Sequence, residues 1–190
     1  MAGMKQILLM IAVVAVVAVV ALVGCGKKSP TVEIANPIVE KAIREELFKP
    51  KGKLTKADLE NVTLLFLNGN RLTEVPKGLE NLTQLTRLGL DGNQLTEVEG
   101  LEKLNQLWQL HLRNNQLTDV TGLEKLTNLQ ELYLNPNQLT SVKGLEKLTQ
   151  LMELNLSENQ LTDVTGLEKL TQLMELNLYN NPALTKAQID

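Results

Sequence analysis

Few side chains in this sequence could do covalent or metal chemistry, and their spacing argues against catalysis. Of 190 residues, one is a histidine, His111, and one a cysteine, Cys25. Nucleophilic catalysis needs a nucleophile, a base and a group that orients the base, and no serine stands at the spacing of a nucleophile elbow or phosphate loop. One imidazole cannot hold a metal ion without further ligands. The expectation is a chain with no enzymatic activity, no catalytic residue, no metal and no cofactor, with His111 a solvent-facing histidine that has Glu131 and Arg113 as neighbours. What remains is the chemistry of recognition. Tryptophan, tyrosine and arginine anchor protein interfaces because they bury a large area and keep a polar handle. The candidate binding residues are Phe66, Arg87, Trp108, His111, Arg113, Tyr133 and Tyr179.

A fixed period positions them. Asn70, Asn93, Asn115, Asn137, Asn159 and Asn181 follow one another at 23, 22, 22, 22 and 22 residues, each closing L-x-x-L-x-L-x-x-N, with valine first in the earliest copy. Leucines at alternate positions face one way in a strand, so the residues between them face the other. A single unit cannot offset the entropy of ordering its own backbone and must stack on its neighbours, which aligns the strands in a parallel sheet. Three outward columns result: Leu64, Arg87, Gln109, Glu131, Glu153 and Glu175; Phe66, Gly89, His111, Tyr133, Asn155 and Asn177; and Asn68, Asp91, Arg113, Asn135, Ser157 and Tyr179. The recurrent asparagines read as a structural ladder, each amide supplying donors and an acceptor to turn backbone. Gly100, Gly122, Gly144 and Gly166 are expected to allow a tight turn into the convex segment. The single 23-residue spacing predicts a small convex bulge at Pro76 and Lys77.

This pattern resembles the leucine-rich repeats, and the 22-residue length with "GLEKL" is similar to the internalin-type class of bacteria. The helix signals after Asn36, with "LTKADLENVTLL", resemble an internalin N-terminal cap. The resemblance implies an α/β right-handed solenoid with its parallel sheet on the concave face, an irregular or 3-10 convex side and an α-helical N-terminal cap.

The remaining segments are read from composition. Lys5 precedes seventeen apolar residues, Ile7 to Val23, as in a secretory signal, and Leu22-Val23-Gly24-Cys25 is similar to a bacterial lipobox, which implies lipid attachment to Cys25. An uncleaved membrane anchor is the alternative. The expected organisation is a signal peptide over 1–24, a tether over 25–35, a helical cap over 36–61, repeats over 62–181 and an incomplete C-terminal cap over 182–190. A net charge of −3 argues against nucleic acid as a partner. The chain is expected to be a lipid-anchored protein- or peptide-binding module of the bacterial cell envelope. The alternatives are a structural envelope protein self-associating through its uncapped C-terminal end, or an intracellular regulatory array. Against the binding reading, aromatics can simply cover neighbouring strands, and Glu131, Glu153 and Glu175 can record recent duplication of "MELNL" rather than a site for a basic partner.

Overall fold

The computed structural model describes residues 29–189. The apolar run, Cys25 and the first part of the expected tether lie outside the described residues.

The first helix, α1 (Pro37–Glu46), starts where its sequence says it should. Asn36 Oδ1 accepts from the backbone N–H of Ile38 (2.9 Å) and Val39 (3.3 Å), and Pro37 occupies a position whose N–H would have no helical partner. One face of α1 closes the leucine core: Val39 and Ile43 are fully buried, with Ile38, Ala42 and Leu47 packed at the margin. The short helix α2 (Lys56–Glu60) is fixed by a reciprocal capping box between Thr55 and Asp58. The expected tether is shorter than 25–35. Thr31–Val32 (β1) pairs antiparallel with Leu54–Thr55 (β2), and Ile34 is buried in the core, because a single apolar side chain there completes the cap even without a periodic pattern.

Six three-residue strands follow in chain order as one parallel sheet: β3 (Leu64–Phe66), β4 (Arg87–Gly89), β5 (Gln109–His111), β6 (Glu131–Tyr133), β7 (Glu153–Asn155) and β8 (Glu175–Asn177). The central leucines, from Leu65 through Leu88, Leu110, Leu132 and Leu154 to Leu176, are mutual register partners. On the convex side the chain makes 3-10 turns at Leu79–Asn81, Thr121–Lys125, Leu145–Lys147 and Leu167–Lys169. Gly144 enters its turn at φ +98°, and a Cβ there would lie 3.0 Å from Thr121 Cα, so both handedness and space demand glycine. Gly122 does not share this role. It sits inside a 3-10 turn that starts one residue earlier, without positive φ, and its small size is needed because a Cβ would meet Val98 Cγ2 at 3.1 Å. The extra residue of the first unit makes no simple bulge: Pro76 is buried and only Lys77 projects.

The asparagine ladder runs from Asn93 to Asn181. Asn137 is typical: Oδ1 accepts from Leu117 N (3.0 Å), and Nδ2 donates to Leu134 O (2.8 Å) and to Leu112 O in the preceding coil (2.9 Å). Asn93, Asn115, Asn159 and Asn181 repeat this and are likewise buried. Asn70 is not a rung. It is exposed and its side chain reaches only Asn68 O (3.2 Å), since the helical cap and not another coil precedes it. At the far end Leu176 is 41% exposed where its neighbour Leu154 is 1%. The short helix α3 (Lys186–Ile189) covers little of that edge, although Gln188 ties it back through Nε2 to Thr162 O (3.0 Å).

Candidate functional site

Strand register decides which outward side chains meet. In the column Phe66, Gly89, His111, Tyr133, Asn155, Asn177, each residue is opposite the next. Gly89 makes room for its neighbour: a Cβ there would come within 2.6 Å of the Phe66 ring.

A connected polar and aromatic cluster occupies the middle of the sheet. Arg113 N donates to Asp91 Oδ1 (2.7 Å), and the Arg113 guanidinium stands 3.6 Å from Asp91 Oδ2. The same guanidinium lies 3.9 Å from the Tyr133 ring centroid, a cation–π contact, and its Nη1 is 2.9 Å from His111 Nδ1. The same ring nitrogen stands 3.5 Å from Asp91 Oδ2, so guanidinium and carboxylate meet at one edge of the imidazole. His111 Nε2 is buried with no hydrogen-bond partner among the described residues. The ring packs against Tyr133 at 4.7 Å, tilted by 59°. His111 is thus not the solvent-facing residue expected: only 24% of its side chain is exposed, because Asp91, Arg113 and Tyr133 close around it.

Tyr133 also organises the acidic column. Its hydroxyl donates to Glu153 Oε2 (2.6 Å) and lies 3.3 Å from Glu131 Oε2, while Gln109 Nε2 donates to the same Glu131 oxygen. Burial raises the Tyr133 phenol well above its ordinary pKa, reinforced by the hydrogen bond to Glu153 and the two carboxylate charges. Glu131, Glu153 and Glu175 are in register as expected, at a strand spacing of about 4.8 Å. Among the described residues no lysine or arginine pairs with them. A shared phenol O–H in place of a cation moderates the first of these repulsions.

The other candidate residues stand apart from this cluster. Arg87 lies 5.8 Å from the Trp108 ring centroid. Trp108 is not a strand residue: it immediately precedes β5 and borders a hollow with Gln106, Asn128, Gln130 and Gln150 at the flank of the sheet. Phe66 and Tyr179 are exposed near opposite ends of the array. Asp91 and Gln109 are members of the central network that residue type alone did not single out. Their positions in the three columns carry the signal, since Asp91 and Arg113 occupy equivalent places one unit apart.

A family model of leucine-rich repeats matches residues 60–103 and 106–147. No curated protein gives a significant match. Among solved structures, internalin C2 of Listeria monocytogenes is 30% identical with a TM-score of 0.60, covering 76% of this chain and 74% of that one. An internalin designated InlF from the same organism is 30% identical with a TM-score of 0.61, covering 75% of this chain and 49% of that one. The functional domain of the Listeria protein InlJ, which includes a cysteine ladder, is 27% identical with a TM-score of 0.70, covering 84% and 36% respectively. The chain therefore spans about half the length of the InlF chain and about a third of the InlJ chain. Repeat pattern, six-stranded parallel sheet and these likenesses agree: the chain belongs to the leucine-rich-repeat family.

Proposed function

We propose that this chain is a non-enzymatic binding module that recognises a protein or peptide on its concave face and is held in a bacterial envelope by a lipid on Cys25. The observation that carries the recognition half is the cluster of Asp91, His111, Arg113, Tyr133 and Glu153, because it spends a guanidinium, an imidazole and a phenol on a surface the leucine core does not need. These groups brace one another, so little side-chain entropy remains to be lost when a partner docks. The anchoring half rests on the apolar run and on Leu22-Val23-Gly24-Cys25.

Partner capture from crosslinked envelopes tests recognition. A variant with Arg87, Trp108, His111, Arg113 and Tyr133 all replaced by alanine, its fold checked by circular dichroism, should lose its partners; recovery of every one of them sinks the reading. Lipid labelling and membrane fractionation against Cys25→Ser test the anchor, and an unlabelled wild type found in the cytoplasm would favour an intracellular array. Self-association is a second reading, favoured by the exposed Met174 and Leu176 at the last strand. Sedimentation that finds only monomer at high protein concentration removes it.

A further inference from the structure

Phe48 is 93% exposed, more than any other large apolar side chain among the described residues, and it follows the α1 C-cap Leu47 at φ +50°, a region that non-glycine residues seldom occupy. It is held there by a built arrangement. Arg44, paired with Glu40 at 2.8 Å, donates to Lys49 O (3.2 Å) and Gly52 O (3.0 Å), while Phe48 N and Lys49 N donate back to Glu45 O (3.1 Å) and Arg44 O (2.9 Å). The loop is thus clamped at both ends with its phenyl ring pointing away from the core. Lys49 is committed to Asp58 at 2.6 Å, whereas Lys51 and Lys53 are exposed and make no ion pair among the described residues.

An exposed aromatic ring on the same loop as two unpaired lysines, with the nearby carboxylates of Glu40 and Glu45 paired to Arg44 and Lys41, combines the two attractions that draw a protein to a charged bilayer: burial of apolar area at the headgroup boundary and attraction to anionic headgroups. Chain connectivity favours that occupant over an apolar protein partner. The loop enters β2 at Leu54, β2 pairs antiparallel with β1, and Ser29, whose Oγ accepts from Ala57 N (3.1 Å) just past the other end of this two-residue strand, is four residues after Cys25, a reach of at most about 14 Å.

We propose that the Phe48–Lys53 loop is a second membrane contact, docking on an anionic lipid surface and so fixing how the array is oriented above the bilayer. Its nearness to the membrane rests on the lipid-anchor reading; its chemistry does not. The test uses the full lipidated chain in phosphatidylcholine vesicles with or without phosphatidylglycerol, carrying Phe48→Trp in a Trp108→Phe background. The indole at position 48 should shift to the blue and be quenched by brominated acyl chains in the anionic vesicles, and both signals should vanish with Lys51→Glu and Lys53→Glu while flotation with vesicles is unchanged. Flotation without quenching overturns the loop contact and leaves the anchor standing. Quenching that is indifferent to phosphatidylglycerol, or that survives the two lysine substitutions, overturns the anionic surface as the ligand. A chain that carries no lipid by mass and does not float overturns both readings.

Discussion

The two ends of the solenoid treat the same leucine ridge differently. At the first end α1 lays Val39 and Ile43 over β3 and excludes water from both, and at the last end Leu173, Leu176 and Leu178 are left partly open, with Leu176 41% exposed. Each coil buries its apolar positions only as far as a neighbour covers them, so identical sequence has different energetic weight at different places in the stack.

The largest contrast is expected from core truncations. Ile43→Ala should cost about 2 to 5 kcal/mol, the range for deleting a buried aliphatic side chain, whereas Leu176→Ala should cost less than about 1 kcal/mol. Urea unfolding of both variants measures this, and equal losses would mean that the last edge is covered in solution. A smaller contrast sets Asn137→Ala, which leaves buried backbone groups without partners and should cost about 1 to 3 kcal/mol, against Asn70→Ala at within about 0.5 kcal/mol.

The acidic column gives a third contrast, read through pH. Because the Tyr133 phenol has its pKa raised in the fold, its contribution to stability is present below the unfolded value near 10 and is lost as pH rises above it. Wild type should therefore lose stability between about pH 10 and 11 more steeply than Tyr133→Phe, with the difference measured by denaturant titration. Parallel curves would show that the phenol is not held by Glu131 and Glu153. The smallest effect belongs to the cap. Asp58 has a depressed pKa, chiefly through the Lys49 hydrogen bond, so its contribution is present above the ordinary carboxylate value and is lost as pH falls below about 4. Asp58→Asn should flatten that acid limb, and should cost about 1 kcal/mol or less at neutral pH because the pair is partly exposed.

Much of the fold was legible because its signals are periodic. Asn36 and Pro37 announced α1, and the leucine spacing announced β3 to β8 and their parallel register. Isolated features were harder to read. Ile34 looked like part of a tether because one apolar residue has no period, and Asn70 looked like a rung because its sequence matches a role that needs a preceding coil. The columns of the concave face followed from the repeat, but the contacts within them depend on rotamers: nothing in the spacing of Tyr133 said that its hydroxyl would lie against two glutamates, or that His111 would be largely enclosed. Phe48 carries no sequence signal for a related reason, since its exposure is set by a backbone turn and by the Arg44 clamp rather than by any pattern of residue types.

The asparagine bonds have a consequence for how such a chain can be lengthened or shortened. From Asn115 to Asn181 each rung joins positions separated by 20 and 25 residues, one in its own coil's approach and one in the coil before. What the array keeps is a displacement and not a boundary. Removing or inserting twenty-two consecutive residues anywhere in the regular stretch brings every rung opposite an equivalent backbone group, so the splice point has no privileged location. The coil closed by Asn93 carries one extra residue and keeps the same bonds at separations of 21 and 26, so a single added residue is absorbed in the arc between rungs.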